Sequence, residues 1–193
     1  MKISIIGKGN MATAIQAHLQ DAGNEVELVG REITNPLGEI VVLAIPYAAH
    51  AEFATAHQDK LTNKVVIDIS NPVNFATLDE LVVPEKQSAT KLLQDKLPQS
   101  FVVKAFNTTS AFMLNNKTVG GRDLPTVLIA SDHQAAKDLL LKALNGAQLN
   151  ALDIGPLKQA NQLEVLGLLQ MHLVKNGFVE RTGGFSLLGL KTN

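Results

Sequence analysis

Short apolar runs alternate along the chain with longer stretches in which apolar residues recur at helical spacing. The apolar runs predict strands over residues 2–6, 25–29, 40–45, 64–69, 101–106, 126–130 and 148–152. The stretches between them predict helices over residues 10–22, 47–57, 77–97 with a break near Pro84, 132–144 and 158–175. Such alternation is typical of a doubly wound α/β fold whose sheet is mainly parallel.

The chain is predicted to form a single domain. Its 193 residues suit one domain. The one candidate boundary, at Gly155-Pro156, leaves too few residues for a second core. Residues 156–193 are therefore expected to be a C-terminal helix and arm.

Composition narrows the classes of function. A net charge of -1 and the absence of cysteine argue against nucleic-acid binding, disulfides and cysteine-ligated metals. The longest apolar run, residues 40–49, is too short to cross a membrane, and residues 3–6 are too short for the core of a signal peptide. We find no catalytic acid–base pair and no metal-ligand cluster, and we expect a cytoplasmic protein.

A glycine-rich turn follows the first predicted strand. Residues 7–12, GKGNMA, form the pattern GxGxxA between a strand and a helix, which is the context of a dinucleotide-binding Rossmann fold. Gly7 would allow the tight turn, Gly9 would let a pyrophosphate approach the backbone, and Ala12 would let the helix pack on the strand. The amides at the start of the helix would bind the phosphates, with Lys8 steering them. A glycine-rich turn without a ligand is the alternative.

The end of the second predicted strand indicates which dinucleotide is bound. Gly30 stands where NAD-binding proteins place a carboxylate for the ribose hydroxyls. Arg31 follows, and a guanidinium suits a ribose 2′-phosphate because it bonds phosphate bidentately. NADP is therefore favoured over NAD. A surface arginine is the alternative, and an inward-facing Glu32 would restore NAD.

Three further strand ends carry rigid or polar residues, at 44–47, 68–72 and 104–108. Ligands bind beyond the carboxyl ends of strands in such sheets. Pro46 offers a flat apolar face, Asn71 and Asn107 could bond a carboxamide, and His50 could contact substrate. Ordinary turn chemistry explains each strand end equally well when it is taken singly.

Several stretches carry a resemblance that spans nearly the whole chain: IIGKGNMA, VVLAIPY, VVIDISNPVN, VVKAFNTT and DIGPLKQANQLEVLGLLQMHL. On these stretches the chain resembles the NADP oxidoreductase family typified by coenzyme F420-dependent NADP reductase. The cytosolic domain of the STEAP-type ferric reductases is related to that family.

The resemblance and the strand-end pattern together imply a set of residues that contact NADP(H): Gly7, Lys8, Gly9, Asn10, Met11, Gly30, Arg31, Ala44, Ile45, Pro46, Tyr47, Asn71, Pro72 and Asn107. Residues 7–11 would lie at the pyrophosphate and residues 30–31 at the ribose. Residues 44–47 would lie beside the cofactor, and the last three along the nicotinamide. Gly30 replaces the family's serine, so one hydrogen bond to the 2′-phosphate is missing.

The chain departs from the family pattern between residues 30 and 39. The family has a helix and a further strand there, but these residues are too few for both. We therefore predict that the sheet ends at the second strand and that the adenine pocket lacks one wall.

The resemblance implies an NADPH-dependent reductase that transfers a hydride to a flavin-like or deazaflavin acceptor, acting as a homodimer. The glycine-rich arm after residue 182 would cover the second ring or exchange across the dimer. A non-catalytic NADP(H) sensor or interaction module is the main alternative. A short dehydrogenase similar to pyrroline-carboxylate or hydroxy-acid enzymes is disfavoured, because those enzymes need a larger helical second domain.

Overall fold

A parallel sheet forms the centre of the protein, whose computed structural model describes residues 1–30 and 32–190. Its strands are β1 (Lys2–Ile6), β2 (Glu25–Val29), β3 (Ile40–Leu43), β4 (Val65–Asp68) and β5 (Phe101–Lys104). They pair in the order β2-β1-β3-β4-β5. The parallel pair β6 (Thr126–Ile129) and β7 (Asn150–Asp153) lies beside β5. An antiparallel bridge between Lys104 and Ala130 joins the two sheets. The predicted α/β fold with a mainly parallel, Rossmann-type sheet is confirmed.

Helices cover both faces of the sheet: α1 (Asn10–Asp21), α2 (His50–Leu61), α3 (Ala89–Lys96), α4 (Ala111–Asn116), α5 (Gln134–Leu144) and α6 (Ala160–Lys175). One apolar core joins the sheet to α1 and α5, and a second joins it to α2 and α3. β3 is completely buried, as expected for a strand covered on both faces. Among the described helices, none has the length and apolar character needed to span a membrane.

The crossover from β2 to β3 is short. Residues 30 and 32–39 contain neither a helix nor an additional strand, so β2 is an edge strand, as the sequence predicts. Ile33 and Leu37 are buried against the second core. Lys60 donates to the Ile33 carbonyl at 2.8 Å and Lys64 to the Leu37 carbonyl at 3.2 Å. The crossover is therefore held against the protein by α2 and by the residues that follow it.

The predicted helix over residues 77–97 is wrong for its first half. Only Ala89–Lys96 is helical, and an antiparallel bridge between Val73 and Leu81 shapes the preceding loop. Leu78 and Lys86 adopt positive φ angles of 55° and 62°, which interrupt any helix. Ser88 begins α3, because its side chain accepts a hydrogen bond from the Lys91 amide at 3.1 Å.

The short helix α4 was not predicted. Its N-cap is Ser110, whose hydroxyl accepts from the Met113 amide at 3.1 Å. Lys117 ends the helix in the left-handed conformation. The polar residues 107–110 mask the start of the helix in the sequence, because they are equally typical of a loop.

Candidate functional site

The glycine loop joins the end of β1 to the start of α1. Gly7 has a φ of 123°, and a Cβ on it would lie 2.3 Å from the Ala44 carbonyl oxygen. Its amide donates to the Val29 carbonyl at 2.9 Å. Only glycine combines this backbone conformation with such close approach to the chain after β3.

The start of α1 is open. Gly9, Lys8 and Asn10 are exposed, and a Cβ built on Gly9 would meet nothing within 4 Å. No described side chain caps the helix. The first amides of the helix therefore face space that a negatively charged group can occupy.

Two grooves flank this loop at the carboxyl edge of the sheet. The large groove, about 720 Å³, is lined by the loop, by Gly30 after β2, by Ile45 and Pro46 after β3, and by one face of α2. The small groove, about 250 Å³, is lined by Met11, by the residues that follow β4 and β5, and by α4 and α6. A ligand lying across the start of α1 would extend into both grooves.

Lys8 reaches across the large groove to the end of β2. A Cβ on Gly30 would lie 3.7 Å from Lys8 Cε and 3.9 Å from Lys8 Nζ. The ammonium group therefore lies at the position that the sequence assigns to the ribose. Arg31, predicted to bind the 2′-phosphate, lies outside the described residues.

A pair of amide side chains forms one wall of the small groove. Asn71 Nδ2 donates to the Asn107 carbonyl oxygen, and Asn107 Nδ2 donates to Asn71 Oδ1, both at 2.8 Å. Asn107 Nδ2 also donates to the Leu163 carbonyl oxygen at 2.8 Å. A Cβ on Gly167 would lie 2.3 Å from Asn71 Oδ1, so any larger residue here would have to displace the hydrogen-bonded amide of Asn71. Asn107 Oδ1 is buried and has no hydrogen-bond partner among the described residues.

Phe106 is a second unusual feature of the small groove. It is fully buried and has a φ of 63°, in the left-handed region that bulky residues rarely adopt. Strained backbone of this kind concentrates at binding and catalytic sites. No pattern in the sequence predicts it, because phenylalanine carries no preference for positive φ.

A buried charge cluster lies behind the two asparagines. Lys104 Nζ donates to Asp68 Oδ2 at 3.2 Å, to Glu164 Oε1 at 2.9 Å and to the Ser70 carbonyl oxygen at 2.6 Å. All three charged residues have no exposed surface. Glu164 also accepts from the Ala89 amide at 3.0 Å. The cluster therefore ties together β4, β5, α3 and α6, and none of its charged side chains lines either groove.

Burial raises the pKa values of the Asp68 and Glu164 carboxyl groups, and the positive charge of Lys104 lowers them. Burial alone would raise the pKa of Asp68, but the charge of Lys104, the nearby His50 and hydrogen bonds from Thr90 and Ser70 lower it to about 2. Burial raises the pKa of Glu164, and the Lys104 ammonium only partly offsets this. Asp68 is consequently ionised in the folded protein, and Glu164 holds a proton more readily than an exposed glutamate.

The remaining predicted residues are distributed as follows. Ala44 packs against Gly7, and Pro72 is buried beside Asn71, away from both grooves. Tyr47 lines a separate cavity between α2 and α3, with its ring 5.9 Å from that of His50. His50 is buried against Asp68, with 4.0 Å between Nε2 and Oδ1, and burial lowers its pKa. His50 therefore does not reach the small groove, contrary to a role in substrate contact.

Sequence reasoning assigned no role to Asp68, Lys104, Glu164 and Gly167. The sequence did indicate that the charged residues are buried, since each stands at the end of, or within, a strongly apolar element. Buried charges of this kind require partners. Which charges pair is decided by the meeting of elements distant in sequence. Within the described part of the chain, no group of three or more histidine, aspartate or glutamate residues is arranged to hold a metal ion.

Comparisons with known proteins find two reductases whose sequences are similar to this chain. No model of a known protein family matches the chain. The chain is 27% identical over 186 residues to the metalloreductase STEAP3 of Rattus norvegicus, covering 86% of the chain and 36% of that protein. It is 25% identical over 157 residues to the F420-dependent NADP reductase of Methanocaldococcus jannaschii, covering 77% of the chain and 68% of that protein. The chain thus spans little more than a third of the STEAP3 relative.

One solved structure extends the comparison to the fold. A candidate F420-dependent NADP reductase from Arthrobacter sp. FB24 superposes with a TM-score of 0.81, at 23% identity, over 97% of this chain and 99% of that one. The predicted resemblance is confirmed: this chain is a homologue of proteins named F420-dependent NADP reductase and STEAP metalloreductase.

Proposed function

We propose that the protein is an NADP(H)-dependent oxidoreductase that transfers a hydride between the cofactor and a flat, flavin-like or deazaflavin acceptor. The position of the two grooves carries the proposal. They flank the glycine loop that follows β1. This loop lies at the edge of the sheet where β1 and β3 are neighbours and the strand order reverses. Doubly wound sheets bind dinucleotides at this point. The names of the homologues support the same cofactor and class of reaction.

The dinucleotide would lie across the start of α1. Residues 7–11 would hold the pyrophosphate through backbone amides, and the adenosine half would enter the large groove along Ile45 and Pro46. The nicotinamide would enter the small groove beside Asn71 and Asn107, which line it. Ala44 and Pro72 would act indirectly, by supporting Gly7 and by fixing the turn that carries Asn71. Tyr47 lies off both grooves, so it would act only by supporting Pro46, its neighbour in the chain.

Selection of NADP over NAD would rest on cations at the end of β2. The Lys8 ammonium lies over Gly30, and Arg31 is the next residue in the sequence. A ribose 2′-phosphate at this position would meet positive charge. Position 30 is glycine, so it supplies no carboxylate to bond the ribose hydroxyls of NAD.

The lining of the small groove favours an acceptor that needs no proton from the protein. Among the described residues that line it, none carries an acid or base that titrates near neutral pH. NADPH supplies a hydride from C4 of its nicotinamide, and a flat ring can take both electrons when the protein stacks the two rings and excludes water. Met11, which is half-buried, and Phe112, which is exposed, offer apolar surface suited to that stacking.

We extend the proposal to a homodimer. Val165 and Leu169 on α6 are 51% and 47% exposed, and Leu188 in the arm is 78% exposed. A second copy of the chain would cover these side chains. The cytoplasmic location remains a prediction from the sequence.

The first test is calorimetric titration with NADPH and NADH. We expect the unchanged protein to bind NADPH more tightly, and Lys8→Ala and Arg31→Ala each to lose about tenfold in NADPH affinity with little effect on NADH. Lys91→Ala, which removes an exposed cation of α3 away from both grooves, is the control and should leave both affinities unchanged. Equal affinity for the two nucleotides in every variant would contradict the assignment of these cations.

The second test separates the reductase from the sensor. NADPH oxidation is followed anaerobically with flavin and deazaflavin acceptors, using protein already shown to bind NADPH. Turnover with one of these acceptors is expected. Tight NADPH binding without turnover by any acceptor would favour the non-catalytic module.

A further inference from the structure

The short crossover after β2 changes what can surround an adenine ring. Residues 30 and 32–39 supply no helix beside the large groove. The groove nevertheless has a wall, because α2 runs along its far side and contributes Phe53 and His57. Lys8 and Gly30 line the same groove.

Phe53 and His57 form an aromatic pair on one face of α2. Their ring centroids are 4.7 Å apart, and the rings are inclined at 58°. Both residues are half-buried, and Phe53 also packs on the second apolar core, which fixes its position. The backbone at His57 departs from the helix, with φ of −130° and ψ of 20°. Between the two rings, α2 presents only small residues to the groove, such as Ala56.

We propose that Phe53 and His57 form the adenine-binding platform of this protein, in place of the wall that a longer crossover would supply. This inference rests on the proposed function, since it takes the large groove to hold the adenosine half of NADP(H). Adenine is planar and aromatic, so it gains most from a rigid aromatic surface. An adenine on this surface would leave its ribose 2′-phosphate pointing back toward Lys8. The preferred ligand class is therefore an adenosine 2′-phosphate.

Calorimetry with nucleotide fragments tests the platform without any electron acceptor. The probes are 2′,5′-ADP, which carries the adenosine half, and reduced nicotinamide mononucleotide, which carries the other half. For Phe53→Ala we expect about tenfold weaker binding of 2′,5′-ADP and NADPH, with unchanged binding of the mononucleotide. Phe53→Leu keeps apolar volume against the core without the aromatic face. It should fold like the unchanged protein and still lose several-fold in affinity for 2′,5′-ADP.

A matched control exists elsewhere in the chain. Phe101 and His133 form a similar pair, 5.1 Å apart, at the amino end of β5 and away from both grooves. Phe101→Ala should leave all three affinities unchanged.

The outcomes distinguish the platform from the proposed function. If the unchanged protein binds NADPH but Phe53→Leu binds 2′,5′-ADP equally well, the platform is overturned and the proposed function stands. If the unchanged protein binds neither NADPH nor 2′,5′-ADP, the proposed function itself is overturned.

Discussion

At the scale of single residues, Gly7 and Gly9 lack side chains for different reasons. A Cβ on Gly7 would collide with the Ala44 carbonyl oxygen, whereas a Cβ on Gly9 would project into open space. The first glycine is required by the fold itself. The second leaves room for a ligand.

Gly7→Ala is expected to destabilise the protein by about 1–3 kcal/mol, because alanine is strained at a φ of 123° and overlaps the chain after β3. The measurement is urea unfolding followed by circular dichroism. Unchanged stability would show that the loop can relax around a methyl group.

Gly9→Ala is the matched variant. Its φ of −80° suits alanine, so we expect stability within about 0.5 kcal/mol of the unchanged protein. Its NADPH affinity should nevertheless fall at least severalfold, since the methyl group occupies the space proposed for the pyrophosphate. A Gly9→Ala variant that binds NADPH normally would argue against that placement.

Some of these residues could be predicted from the sequence and others could not. The glycine loop could be predicted because its spacing between a strand and a helix is local. Gly167 could not, because its need for glycine comes from Asn71, almost a hundred residues earlier in the chain. Likewise, the meeting of Lys8 with Gly30 depends on the pairing of β1 with β2.

At the scale of elements, the buried charges Asp68, Lys104 and Glu164 hold strand ends and helices in register. Removing the cation leaves two carboxyl groups buried without their partner. We expect Lys104→Met to destabilise the protein by about 3–5 kcal/mol. Lys91→Met, which removes an exposed ion pair with Asp95, should cost less than about 1 kcal/mol. Equal losses in urea unfolding would contradict the assigned importance of the buried cluster.

The two carboxyl groups of the cluster give stability opposite pH dependences. The pKa of Asp68 falls from 3.8 to about 2 on folding, so its contribution is present above pH 3.8 and is lost as the pH falls toward 2. The pKa of Glu164 rises above 4.5 on folding, so its contribution is present below pH 4.5 and is lost as the pH rises through the higher value.

Glu164→Gln should therefore remove part of the decline in stability between pH 4.5 and neutrality, because glutamine cannot ionise. The side-chain oxygen of the glutamine can still accept a hydrogen bond from the Ala89 backbone amide. Unfolding free energies measured across this range check the prediction, with Glu180→Gln as an exposed control. A parallel pH profile for the variant and the unchanged protein would contradict it.

The elements themselves were predictable to differing degrees. β1 and β2 match their predicted bounds. β1 is a buried apolar run, as expected for a central parallel strand, whereas the edge strand β2 alternates glutamate with apolar residues between two turns. The first part of the helix predicted over 77–97, residues 77–88, is a loop, since tertiary bridges such as that between Val73 and Leu81 outweigh a weak local helical pattern.

At the scale of the whole molecule, the exposed apolar residues on α6 and the arm indicate how copies of the chain would associate. We expect light scattering to give the mass of a dimer for the unchanged protein and of a monomer for Val165→Lys. A lysine buried in an apolar interface opposes association, because its charge loses water without gaining a partner. Val82→Lys, at an exposed apolar position on neither α6 nor the arm, should remain dimeric. A monomeric unchanged protein at high concentration would refute the proposed homodimer.

The α/β class, the glycine loop and the absence of a helix after β2 could all be predicted from the amino-acid sequence, because they depend on local spacing and chain length. The folded structure was needed to show which strand ends meet, which charges pair, and that α2 and Lys8 border the same groove. Those features join residues far apart in the chain, and the pattern of residues along a sequence does not show which distant side chains come together.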